Sequence, residues 1–185
     1  MNDNPYKRPL ILRGNTVSLG LMIRSDVAFI YEMINDPEVN RFLRRPYAIH
    51  SIEDEEKFVG TSGGDSGNTR VFAVIPEDPG DIAGLVSLHE INLYSGNAYV
   101  AYSLARKFWG HGYTTEAVSL VMKYAFEILK LRKLHSSVFE PNTGSIKVLE
   151  KNGFKETGRF HRDAYVPGHG YVDEIYFEVF NKAYE

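Results

Sequence analysis

Apolar positions change their spacing along the 185-residue chain, and each change predicts an element. Residues 16–22 alternate apolar and polar as a half-buried strand does. After Ser25-Asp26, the residues Phe29, Ile30, Met33 and Ile34 recur at helical spacing, with Ser25 as the expected N-cap and Asn35-Asp36-Pro37 as the stop. Ser51 and Asp54 form a capping-box pattern that opens a second helix. A Gly/Ser-rich loop at 61–68 precedes strands at 70–75, 82–93 and 98–104. The turns between them, at 77–81 and 94–97, make these three an antiparallel meander. The spacing then returns to helical over 114–129, with Val118, Val121, Met122, Ala125, Ile128 and Leu129 as the buried stripe. A strand at 133–138 and a helix at 143–152 follow. Gly153 stands where a left-handed C-cap belongs, and Phe154 supplies its hydrophobic contact. Two strands, 155–165 and 172–181, flank the turn Pro167-Gly168-His169-Gly170. The order β-α-α-β-β-β-α-β-α-β-β predicts an α/β (α+β) fold: a mixed, mostly antiparallel sheet of about seven strands with helices on both faces. Residues 1–15 read as an N-terminal arm and residues 16–185 as a single domain.

Composition narrows the chemistry. Hydrophobic residues make up 43% of the chain, enough for a real core, and a net charge of -3 gives no general basic field for nucleic acid. The chain has no cysteine, which excludes disulfides, thiolate zinc sites and an acyl-cysteine intermediate. No metal site is expected. The first residues lack the apolar core of a signal peptide, and no apolar run reaches membrane-spanning length. The expectation is a cytoplasmic protein without a membrane or direct nucleic-acid partner, as monomer or homodimer.

The turn Trp109-Gly110-His111-Gly112-Tyr113 joins a strand to a helix. The first N–H groups of a helix have no internal partner, and the helix dipole concentrates positive charge there. Glycines at 110 and 112 let the backbone approach an anion, and Thr114 and Thr115 add hydroxyl donors. By itself this turn is equally a tight corner. It is not a Walker loop, since no Gly-Lys-Ser/Thr follows, and it lacks the third glycine of a dinucleotide fingerprint.

A second segment, Asn142-Thr143-Gly144-Ser145-Ile146-Lys147-Val148-Leu149-Glu150-Lys151-Asn152-Gly153-Phe154, lies about twenty-five residues on. Together with the run from Trp109 to Ala117, it resembles the GNAT acyltransferase superfamily, in the branch of ribosomal-protein N-terminal acetyltransferases and spermidine acetyltransferases. The resemblance runs from about Val17 to Phe180. It implies a sheet splayed near the cofactor, acetyl-CoA as cosubstrate and an amine as acceptor. The family's pyrophosphate motif places Lys107, Trp109, Gly110, His111, Gly112, Tyr113 and Thr114 at the cofactor, with Lys107 where the family has Arg or Gln. The pantetheine arm is expected along the strand at Tyr102, Ser103 and Leu104. Asn142 matches an asparagine that contacts the arm, and Ser145 a serine near the thioester.

Transfer to an amine requires a deprotonated nitrogen, donors for the tetrahedral oxyanion and a proton for the leaving thiolate. Ser145 is the candidate for the last role, against the simpler alternative that it caps its helix. The spermidine branch uses a tyrosine one turn on, where this chain has Leu149. Many relatives carry a glutamate on the strand before the turn, where this chain has Tyr99. Glu90, acting through water, and Tyr165, near an acidic position of the N-terminal acetyltransferases, are the other catalytic candidates. If the strand is regular, His89 and Glu90 face opposite ways. His161 and Asp163 read as a surface pair. Arg41, Arg44 and Arg45 form a cluster that suits an acidic acceptor or the adenosine 3′-phosphate, against the simpler alternative of a solvated face. The expected activity is acetyl transfer by direct attack in a ternary complex, first to a protein or peptide α-amine. The alternatives are a small amine such as an aminosugar, polyamine or antibiotic, or a non-catalytic acyl-CoA-binding module.

Overall fold

The computed structural model describes residues 8–45, 48–62, 67–78 and 81–184. Residues 1–7 of the N-terminal arm, residues 63–66 of the Gly/Ser-rich loop and Pro79-Gly80 of the predicted turn lie outside the described residues. In chain order the strands and helices are β1 (Leu10–Arg13), β2 (Val17–Gly20), α1 (Val27–Ile34), α2 (Pro37–Asn40), α3 (Ile52–Ser62), β3 (Arg70–Pro76), β4 (Gly84–Asn92) and β5 (Asn97–Leu104). They continue as α4 (Tyr113–Lys123), β6 (Lys133–Phe139), α5 (Thr143–Lys151), β7 (Lys155–Val166) and β8 (Gly170–Phe180).

The strands form one eight-stranded sheet in the order β1-β2-β3-β4-β5-β6-β8-β7. The eighth strand is β1, within the predicted arm, which pairs Leu12 with Leu19 and Arg13 with Ser18. Arg8, just before it, makes a two-pronged ion pair with Asp26 at 2.6 and 2.7 Å. Asp26 also accepts from the Ile23 N–H at 2.8 Å. Asp26, not the predicted Ser25, therefore orders the start of the first helical segment, because Ser25 lies inside a short 3₁₀ turn (Arg24–Asp26). Pro37 ends one helix and begins another: with its missing N–H at the first position of α2, Asp36 caps by accepting from Glu38. The predicted box at α3 is present, with Ser51 and Asp54 exchanging bonds at 3.0 and 3.1 Å.

Helices cover both faces. On one, Phe72, Val74, Val86, Leu88 and Val100 pack with Val118 and Val121 of α4, Leu149 of α5 and Phe154. On the other, Val71, Ala73 and Ile75 pack with Val27 and Ile30 of α1 and Val59 of α3. β3 is therefore apolar at successive positions, as a strand covered on both faces must be. α4 ends in a π turn at Tyr124–Ile128, shorter as an α-helix than its periodicity suggested. Gly153 takes φ 82° and Phe154 is buried, closing α5 as predicted.

One junction shapes the site. Among the described residues β5 and β6 are the only parallel neighbours, and they pair over three residue pairs, Asn97–Lys133, Ala98–Leu134 and Tyr99–His135. Beyond these, β5 stays with β4 as far as Leu104, whereas β6 stays with β8 as far as Phe139. Each strand follows its antiparallel neighbour, and the sheet splits into a V. Among the described residues no helix is long and apolar enough to cross a membrane.

Candidate active site

The turn at the end of β5 has the geometry its glycines suggested. Gly110 and Gly112 have φ of 80° and 82°, conformations that cost an L-residue roughly 1–2 kcal/mol. Gly112 is the N-cap of α4, so the helix starts on the turn itself. The Trp109 indole donates to the Leu104 carbonyl at 2.8 Å and pins the turn to the end of the strand. Gly110, Gly112 and Thr114 line a cavity of about 560 Å³ together with Trp109, Lys147 and Lys151. The two lysines stand four apart on α5, on one helical face. They escaped the sequence reading, although that spacing beside Ser145 was a usable signal. Lys107 turns away, its ammonium 5.7 Å from the Phe29 ring and 5.0 Å from Phe108. His111 stacks on Tyr113 at 5.4 Å, and neither ring lines the cavity.

A second cavity of about 420 Å³ occupies the V between β5 and β6. The two cavities share Phe42, Leu43, Tyr102, Asn142 and Ser145 and so meet at that point. Asn142 is the N-cap of α5 and accepts from the Ser145 N–H at 3.2 Å. The Ser145 hydroxyl is thus free of capping duty, and it lies 2.7 Å from the Tyr102 hydroxyl. Tyr102 also donates to the Ser145 carbonyl at 3.1 Å. Burial pushes the Tyr102 phenol well above its ordinary pKa, outweighing the bond to Ser145, and keeps it a neutral donor. Ser103 and Leu104 line the first cavity beside Tyr102. Leu149 is fully buried in the core.

Tyr99 links the two arms of the V. Its hydroxyl is 3.0 Å from the Ser137 Oγ and accepts from the Ser137 N–H at 3.2 Å. Arg44 lies over the Tyr99 ring at 5.3 Å. Partial burial opposes the Arg44 charge, but Tyr99 and then Glu174 reinforce it, and its pKa is raised overall. The arginine cluster is divided: Arg41 lines the first cavity and pairs with Glu38 at 2.9 Å, Arg44 lines the second, and Arg45 is exposed.

Three expectations about the acid–base candidates change. Glu90 and His89 both line the second cavity, because the strand is not regular there. The pairing jumps from His89–Tyr99 to Asn92–Asn97, and Glu90 has φ 52°, a bulge that re-aims its side chain. His89 is held below its usual pKa by burial, and its Nε2 is 2.8 Å from the Ser87 hydroxyl. Tyr165 is 54% exposed and lines neither cavity; the strand turns its neighbour Val166 inward and packs Tyr165 edge-on against Tyr171 at 5.5 Å. His161 bonds Asp173 at 3.0 Å across the hairpin, not Asp163. A second bulge, between the Phe160–Glu174 and Ala164–Val172 pairs, causes that change of partner. Glu174 of β8 was not anticipated: it is 9% exposed, lines the second cavity and accepts from the Tyr176 hydroxyl at 3.2 Å. Its signal was an acid sharing a strand face with Val172.

A two-chambered cleft at a split sheet, with a glycine turn and helix start at one end, is the arrangement of an acyl-transfer enzyme of this topology. The acetyltransferase (GNAT) domain family model matches residues 17–155, and the chain belongs to that family. It is an acetyltransferase by that membership. The spermidine N(1)-acetyltransferase of Escherichia coli K12 is 29% identical over 174 residues, covering 92% of this chain and 89% of that protein. The spermidine N-acetyltransferase of Vibrio cholerae, solved with CoA and spermine, superposes with a TM-score of 0.81 at 24% identity over 92% and 99% of the two chains. A ribosomal L7/L12 alpha-N-protein acetyltransferase also gives 0.81, at 19% identity over 98% and 99%. At these identities the two structures speak to the fold alone.

Proposed function

We propose that the protein moves an acetyl group from acetyl-CoA to a primary amine by direct attack with both substrates bound, and that its leading acceptor is a protein or peptide N-terminal α-amine. The carrying observation is the meeting of the two cavities at Ser145 and Tyr102, which lets a cofactor and an acceptor approach one point from opposite sides. Acetyl-CoA supplies the activated acetyl thioester. The turn at Gly110 and Gly112, the start of α4 at Thr114, and Lys147 and Lys151 offer donors and charge suited to its phosphates. Tyr102, Ser103, Leu104 and Asn142 would hold its arm. Ser145 protonates the leaving thiolate, with the Tyr102 hydroxyl replenishing or orienting that proton. Glu90, exposed on its bulge, favours cationic acceptors at the cleft mouth.

Arg44 supports the peptide reading. Its guanidinium offers donors to peptide carbonyls or an acidic side chain, whereas it would repel the second ammonium of a polyamine. The small-amine reading is kept by the spermidine-acetylating relative. Thiol release from acetyl-CoA, measured with free-amine peptides, N-blocked lysine peptides, spermidine and an aminosugar, separates these. The free-amine peptides should give the highest kcat/KM. Preference for spermidine would overturn the acceptor, and acetyl-CoA binding without any amine-dependent thiol release would overturn the enzyme.

A further inference from the structure

Resting on the acetyl-transfer reading, we propose that Glu174 is the group that holds the acceptor's ammonium and takes its proton. Glu174 pairs with Phe139, the last residue of β6, and α5 with Asn142 and Ser145 begins just beyond. Its carboxylate therefore lies at the open end of the V and lines the same cavity as Ser145, Tyr102 and Asn142. It is 9% exposed, and its hydrogen-bond partner is the neutral Tyr176 hydroxyl at 3.2 Å. Among the described residues no lysine, arginine or histidine forms an ion pair with it. Arg44 feels the Glu174 charge within the same cavity but forms no direct ion pair with it, so the buried carboxylate can still take up a cation that a ligand brings. The ammonium of the acceptor is that cation.

The surroundings fit proton transfer as well as binding. Arg44, from the segment after α2, lines the cavity and would lower the pKa of an amine beside it. Tyr176, raised by burial and then by the Glu174 charge, stays a neutral donor that fixes one carboxylate oxygen. The other titratable groups around the cavity are Tyr99 of β5, His89 and Glu90 of β4, His135 of β6 against Tyr99, and Asp163 of β7 acting on Tyr176. In the step, R–NH3⁺ gives one proton to Glu174 and the free amine attacks the thioester carbonyl. The C–S bond of the tetrahedral adduct then breaks, the remaining surplus nitrogen proton leaves through solvent, and the thiolate receives a proton through Ser145. The products are the amide, the thiol and one proton, which Glu174 releases to solvent.

The test compares Glu174→Gln and Glu174→Asp with wild type, measuring kcat/KM for a peptide α-amine across pH and the acetyl-CoA Kd by calorimetry. Glu174→Gln should lower kcat/KM for the amine about 100-fold at neutral pH. The loss should shrink as pH rises past the amine pKa of about 8, where the free base is already abundant. Glu174→Asp, which keeps the charge, should retain the shape of the wild-type profile at a lower rate, and the acetyl-CoA Kd should stay within about twofold in both. A loss independent of pH, a loss under about threefold, or an equal loss of acetyl-CoA affinity would overturn the assignment. Wild-type protein that acetylates no amine would instead defeat the acetyl-transfer reading, and Glu174's role with it.

Discussion

Replacing Ser145 with alanine removes one hydroxyl from the point where the two cavities meet. Two features limit the structural damage. The Ser145 N–H keeps its bond to Asn142 at 3.2 Å, so the α5 cap survives. Tyr102 keeps the Ser145 carbonyl as acceptor at 3.1 Å, so no buried hydroxyl is stranded. The net loss is that of one neutral hydrogen bond, about 1 kcal/mol. In a chain of this length that lowers Tm by roughly 2–4 °C. The chemical effect should be larger: loss of a positioned proton donor lowers kcat about 100-fold, or roughly 2.7 kcal/mol of barrier. KM for acetyl-CoA should change much less, because the phosphate cradle is untouched. Steady-state thiol release and a thermal melt on the same preparation separate the two effects. Tyr102→Phe extends the test. If the hydroxyls act as one relay, the double variant should be scarcely slower than Ser145→Ala alone. An unchanged kcat, or a rise in KM that accounts for the whole loss of kcat/KM, would refute the leaving-group role.

Gly84→Ala should lower Tm by several degrees, since a Cβ there would come within 2.6 Å of the Leu104 Cα and press on the Ser103 carbonyl. Overpacking of this kind costs about 1–3 kcal/mol, and because it displaces β5 beside the first cavity, acetyl-CoA KM should rise as well. The paired substitution Lys147→Ala and Lys151→Ala should raise acetyl-CoA KM about tenfold at low salt and flatten its salt dependence, with kcat little changed. Glu116 of α4 gives a pH prediction. Burial opposes its charge, but donors from Asn15, Thr16 and Val17 outweigh that and lower its pKa overall. A lowered folded pKa contributes stability that is present above the unfolded value, near 4.3, and is lost as pH falls through the folded value. Melts of Glu116→Gln against pH should therefore differ from wild type at neutral pH and converge with it in acid.

Local signals carried the parts of the fold that depend on neighbouring residues. The box at Ser51 and Asp54, the stop at Gly153-Phe154 and the turn at Gly110 and Gly112 are each written within a few positions, and each folds as written. What escaped depends on partners in other elements. β1 is four residues long and becomes a strand through β2. Asp26 displaced Ser25 because a distant Arg8 and a nearby N–H converge on it. The bulges at Glu90 and Arg162 break the alternation on which facing predictions rest, turning Glu90 toward the cleft and giving His161 to Asp173. Glu174 reads as an ordinary strand acid until the register of β8 with β6 sets it at the cavity. The glycine-turn end of the cleft was thus legible from spacing, whereas the end at Glu90 and Glu174 is assembled from register.

The V between β5 and β6 leaves the β6-facing backbone edge of β5 without a ladder partner beyond Tyr99, except where the Ser136 hydroxyl reaches the Val100 carbonyl. An amide-bearing arm laid along that edge, as proposed for the cosubstrate, would act as a temporary strand. Its occupancy is then coupled to the integrity of the sheet: stability gained on binding grows as RT ln(1 + [L]/Kd), about 2.7 kcal/mol at a hundredfold excess over Kd. Amide protons along β5 and β6 would slow their exchange with solvent by the corresponding factor. On the proposed binding mode, the cosubstrate concentration would set how often the two halves of the sheet come apart.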